Sequence, residues 1–207
     1  MPSDCRVHLE SAPMLARFLA SCLMGLCLAG TAGAASVRPL QLGQIIDDAA
    51  IAFQGTCIDN RTEREAATNF VVTYSTFEVK DVLKGTVPST YTIKQIGGKM
   101  PDGGLVYRVD GVPTFTIGQD YVVLLPLPSS IGFSSPIGLA QGKFTVEKDA
   151  TGAKVANGRD FREMIAGMPA GSLPKTTRAL GESQEKVRSI DLDDFKQIVR
   201  AHAGRPQ

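Results

Sequence analysis

The chain has 207 residues, 43% of them hydrophobic, and carries 22 basic against 21 acidic side chains for a formal net charge of +1. That near-neutral balance, without basic runs, leaves no electrostatic footprint for nucleic acid. The length suits one domain with a proper core.

The first segment reads as targeting. Arg17 is followed by the uncharged run Phe18 to Val37, apolar at first ("FLASCLMGLCLAG") and then small ("TAGAAS"). A basic residue, an apolar stretch and Ala32-Gly33-Ala34 have the form of a secretory signal peptide, cut before Ala35. A retained anchor is the competing reading, because about 20 apolar residues span a bilayer. Met14 would begin a cleaner leader than Met1, since Asp4 and Glu10 suit one poorly. Cleavage would leave a periplasmic or secreted chain with no membrane segment. Cys5, Cys22 and Cys27 would go, leaving Cys57 alone, so the expected mature chain has no internal disulfide.

From Ala35 to Ala156 the sequence reads as a β domain, and 157–207 as a loop and helix packing on it. "PLQLGQIIDD" predicts a short helix. "AAIAFQGTCI" predicts a first strand and "NFVVTYSTFEVKDVL" a long second one. In the second, Val71, Thr73, Ser75, Phe77 and Val79 share one face, while Glu78 and Lys80 take the other. "TYTIKQI" follows, then the glycine-rich excursion "GGKMPDGG" and "LVYRV". "YVVLL", apolar on both faces, predicts a central strand. The stretch 111–128 around it offers no nucleophile, metal ligand or neutral-pH proton donor, and reads as scaffold. "GLAQGKFTVEK" and "AKVA" predict a hairpin. Roughly seven short strands with regular turns point to a mainly β fold, a small closed or partly open antiparallel barrel.

Beyond the strands, "RDFREMIAGM" predicts a helical turn or two and 169–186 a loop. "DLDDFKQIVRAHAG" predicts an amphipathic helix, with Leu192, Phe195, Ile198, Val199 and His202 on one stripe, Asp191 as cap and Gly204 as stop.

The series "DDAAIAFQGTC", "FEVKDVLKG", "IKQIGG", "GVPTFTIGQDYVVLL", "GLAQGKFTV" and "LDDFKQIVRAH" resembles a group of secreted bacterial proteins, some of them fused to or beside matrixin-type zinc metalloproteases. The resemblance covers about residues 42 to 148 and the last helix. It implies a barrel similar to the oligonucleotide/oligosaccharide-binding (OB) fold, which the tissue inhibitors of metalloproteinases also use. Those inhibitors chelate the protease zinc through an N-terminal cysteine. The expected mature end here is Ala35-Ser36-Val37, so that mechanism does not carry over.

Chemistry-bearing residues are sparse. His202, in the last turn of the terminal helix, lacks a recognisable nucleophile and orienting acid, and no GxSxG motif occurs. Cys57 and His202 are too few and too far apart for a zinc site. Asp191, Asp193 and Asp194 lack the spacing of a calcium loop and suit a helix N-terminus. No metal or cofactor is expected. Cys57 reads either as a free thiol able to pair with another chain or as a small core residue, with the core favoured by its apolar strand.

A non-enzymatic binding module is therefore the expectation, with an exported protease or another envelope protein as its partner, as inhibitor or accessory factor. Its candidate contact residues are Gly97, Gly98, Lys99, Met100, Pro101, Asp102, Gly103 and Gly104 in one loop and Ile131 and Phe133 in the loop 127–136. The alternative is a hydrolase using converging carboxylates at the mouth of the barrel.

Overall fold

The computed structural model describes residues 38–205 except Leu105, Thr151 and Glu182; the expected leader, with Cys5, Cys22 and Cys27, lies outside the described residues. Helix α1 (Leu42–Asp48) leads into two long strands, β1 (Ile51–Arg64) and β2 (Val71–Lys84), and then β3 (Thr90–Ile96). Two short strands, β4 (Gly98–Lys99) and β5 (Val106–Tyr107), pair as a separate hairpin. Strands β6 (Asp120–Leu125), β7 (Lys143–Asp149) and β8 (Gly152–Ala156) follow. Helices α2 (Phe161–Ile165) and α3 (Lys175–Leu180), the short strand β9 (Ile190–Asp191) and helix α4 (Leu192–Ala203) complete the order.

The large sheet has seven strands in the order β3-β2-β1-β6-β7-β8-β9, every neighbouring pair antiparallel. The fold is thus mainly β, as composition and periodicity indicate. The sheet does not close: β3 and β9 are its two edges.

Strand β6 is buried along its whole length and divides the core in two. Val122 and Leu124 face a layer made by α1, α2 and α4, where Ile45, Phe161, Phe195 and Ile198 meet Phe144 and Val155. Tyr121, Val123 and Leu125 face the other way, into a cluster with Phe53, Cys57, Phe77, Ile93 and Phe115. The period of two makes this possible, since successive side chains of a strand point to opposite faces. The second cluster is aromatic and edge-on: Phe77 and Phe115 lie 4.9 Å apart at 89°, Phe115 and Tyr121 5.2 Å apart at 85°, the geometry aromatic quadrupoles favour.

The expected stripe of α4 is its buried face, Leu192 through His202, and Asp191 accepts from the backbone N–H of Asp193 at 2.8 Å and of Asp194 at 3.2 Å. Three expectations change. Strand β1 does not end at Ile58 but continues to Arg64, because its polar second half pairs with the first half of β2. Segment 169–186 is not only loop: it holds α3 and a 3₁₀ turn at Ala170–Ser172, with Thr177 fully buried. The final fifty residues are no mere appendage, since β9 extends the sheet beside β8 and α2 and α4 build the core under it.

Candidate functional site

The registers of β1, β2 and β3 decide what lines their open end. Cys57 pairs with Phe77, but Asp59 pairs with Thr76, so Ile58 is an extra residue in a β-bulge. A bulge restarts the alternation of faces. Beyond it, Asn60 and Thr62 point to the side that Cys57 occupies, opposite Ser75 and Thr73. Thr73 in turn pairs with Gln95 of β3. One face of three strands therefore passes from an aromatic cluster to a row of neutral amides and hydroxyls.

Gly97 and Gly98 fold the chain back over this row. Both take positive φ, 92° and 142°, which glycine alone adopts without strain. A β-carbon on Gly97 would lie 2.6 Å from the Tyr107 carbonyl oxygen, and one on Gly98 2.2 Å from the Thr73 hydroxyl. The β4–β5 hairpin is thereby seated directly on the sheet. Between hairpin, sheet and the segment 108–115 runs a cleft of about 530 Å³, within the range of small-ligand sites.

The cleft floor is mostly satisfied by its own bonds. Ser75 donates to Asn60 Oδ1 at 2.7 Å, and Asn60 Nδ2 donates to the Phe115 carbonyl at 2.7 Å. Thr62 and Thr73 share a hydroxyl–hydroxyl bond of 2.9 Å, and Thr73 donates to the Gly97 carbonyl at 2.7 Å. Gln95 differs. The residue is 3% exposed and its Nε2 has no hydrogen-bond partner, although buried polar groups are rarely left unpaired.

Phe115 joins the cleft to the core: it lines the one and packs on Phe77 and Tyr121 in the other. Lys143 sits over the Phe115 and Tyr121 rings, at 5.2 and 4.9 Å, and donates to the Thr114 carbonyl at 2.5 Å. Burial pushes its ammonium below the ordinary lysine range.

Of the residues singled out from sequence, Gly97, Gly98 and Lys99 line the cleft. Met100 to Gly104 form the hairpin tip, where Asp102 Oδ1 accepts from the Gly104 N–H at 3.0 Å. Ile131 and Phe133 do not join them. Phe133 bridges to Lys94, whose ammonium lies 4.5 Å from its ring and donates to the Ile131 carbonyl at 2.8 Å and to Glu65 at 2.5 Å. Lys94 and Gln95 are successive residues of β3, so their side chains point to opposite faces: Gln95 lines the cleft, while Lys94 meets Phe133, whose backbone bridges to the β3 edge.

The stretch 111–128 is scaffold only in its second half, because Gly111 to Phe115 form a cleft wall. Sequence reading missed Asn60, Thr62 and Gln95 altogether, and the bulge that aligns the first two has no local signature in "CIDNRT".

Asp110 is the one carboxylate among the cleft-lining residues, and it is exposed. Among the described residues two carboxylates are buried, Asp120 and Asp160, and neither lines the cleft. Asp120 is held by Lys80 at 2.8 Å, Lys148 at 3.0 Å and Thr56 at 2.5 Å. Burial alone would raise its pKa; these donors outweigh burial and bring it down to about 2. That is opposite to the raised value a general acid needs. His202 Nε2 bonds to Asp47 Oδ1 at 2.9 Å, far along the chain from any cleft residue. Cys57 is free and fully buried, its thiol pushed up by burial. Among the described residues no group of three or more His, Cys, Asp or Glu is placed to hold a metal, and no helix is long and apolar enough to cross a membrane. No family model, no curated protein and no solved structure matches the chain.

Proposed function

We propose that this chain is an exported, non-catalytic binding module that recognises its ligand in the cleft beneath the β4–β5 hairpin. The observation that carries the reading is the buried, unpartnered Nε2 of Gln95 in a preformed cleft whose floor is otherwise made of satisfied neutral groups. Such an arrangement supplies recognition and no reaction: it offers hydrogen-bond donors and acceptors but no paired acid and base. The cleaved leader and the OB-like reading of the sheet belong to the same proposal, as does an exported protease or envelope protein as the bearer of the ligand.

The test uses immobilised Ala35–Gln207 and a copy whose residues 98–107 are replaced by a short Gly/Ser linker. Both are exposed to the exported and envelope fraction of the producing cells. Material retained only by the hairpin-bearing chain, and released chemically unchanged, is the expected result. Equal retention by both copies, or retained material that has been cleaved, contradicts the reading; cleavage would favour the hydrolase.

A further inference from the structure

The chemistry of the cleft narrows its ligand. Resting on the binding-module reading, we propose that the cleft holds an uncharged carbohydrate segment of two or three sugar units.

The floor presents Asn60, Thr62, Thr73, Ser75 and Gln95, all neutral and all able both to donate and to accept. A sugar hydroxyl also does both, so a row of hydroxyls can join such a floor without leaving an unpaired charge. Gln95 lines the cleft while its Nε2 is enclosed and without a partner; once the side chain turns toward the cleft, a ligand hydroxyl or ring oxygen supplies the missing acceptor. The lining also includes the apolar Tyr107, Val112, Pro113 and Phe115, which suit the C–H faces of a pyranose. Tyr107 is 53% exposed, a large apolar ring left available at the entrance.

Other ligand classes fit worse. An extended peptide binds by adding its backbone to a free sheet edge, whereas the floor here is a sheet face that presents side chains. An anionic ligand would require clustered cations. The cleft's Lys99 and Arg108 are accompanied by Asp110, and all three are exposed. The cleft's volume, about 530 Å³, accommodates a short oligosaccharide and excludes a folded partner.

The test is calorimetric titration of Ala35–Gln207 with three neutral trimers: β-1,4-linked glucose, α-1,4-linked glucose and β-1,4-linked N-acetylglucosamine. A trigalacturonate and an uncharged tripeptide serve as comparators. At least one neutral trimer is expected to bind, and neither comparator. Gln95→Leu should weaken that binding about tenfold, the loss of one buried hydrogen bond, while its thermal midpoint stays at or above that of the parent because an orphaned amide is removed. Thr73→Val provides an independent floor variant with the same expected direction.

Failure of all three neutral trimers, with hairpin-dependent retention from the exported fraction intact, overturns the carbohydrate assignment and leaves the binding module standing. Failure of both overturns both. Trimer binding that Gln95→Leu does not weaken would mean that the Gln95 amide does not meet the ligand, and would also overturn the assignment.

Discussion

Gly98 lies so close to Thr73 that a β-carbon added to it would sit 2.2 Å from the Thr73 hydroxyl oxygen, at a φ of 142°. The hairpin that roofs the cleft is therefore held down by the absence of a side chain. Gly98→Ala should lift the hairpin at a local cost of about 2 kcal/mol, weakening ligand binding and exposing the amides of Lys99 and Tyr107 to hydrogen exchange. Gly103, at the hairpin tip with φ 73° and nothing within 4 Å of its would-be β-carbon, is the control. Gly103→Ala should cost about 1 kcal/mol or less and leave binding unchanged.

Asp120 makes acid stability a readout of a buried charge. Its carboxyl titrates at about 2 in the folded chain and at about 3.9 when unfolded. A folded pKa below the unfolded one gives stabilisation that is full above the unfolded value and lost as pH falls through the folded one. Between about pH 4 and pH 2 this group should account for about 1 kcal/mol of lost stability, discounted because its lysine partners are half in solvent. In Asp120→Asn that part of the acid limb should flatten in urea titrations taken at steps of pH.

Cys57 should behave as a core atom. It is fully buried in the aromatic cluster, with burial raising its thiol pKa. The folded chain should react with a thiol reagent slower by orders of magnitude than the urea-unfolded chain, and it should run as a monomer under non-reducing conditions. Rapid modification of the folded protein would place the thiol at the surface instead.

His202 should be a packing residue. Arg205 lies against Nδ1, and Nε2 is 2.9 Å from Asp47 Oδ1, so both ring nitrogens are engaged. Cε1 would be 3.0 Å from a β-carbon on Gly43, so the ring fills the space above helix α1. His202→Ala should lower stability by about 2 kcal/mol in urea unfolding, with ligand affinity unchanged. Loss of affinity without loss of stability would contradict this placement.

How far the sequence could be read follows from which signals are local. The stripe of α4 and the two-sided burial of β6 come straight from periodicity, because Phe195 to Ile198 and Val122 to Val123 carry their own facing. The Asp191 cap is equally local. The cleft is not. Asn60 and Thr62 reach it only through a bulge at Ile58, which reverses their parity relative to Cys57. Gln95 alternates with Lys94 in "TYTIKQI" and looks like any half-exposed strand residue until the hairpin folds over it. The same hairpin turns Gly111 to Phe115 from scaffold into cleft wall. The stretch 127–136 has loop composition, yet Ser134 donates its backbone N–H to the Lys94 carbonyl at 2.9 Å, a long-range pairing that no spacing announces.

The most direct measurement is the ¹H–¹⁵N correlation of the Gln95 side-chain amide during titration with the tightest-binding neutral trimer. The account predicts that the Gln95 Nε2 protons shift together with the backbone amides of Thr73, Gly97 and Gly98, and that these shifts saturate at one ligand per chain. Shifts confined to Lys94 and Phe133, with Gln95 unmoved, would contradict it.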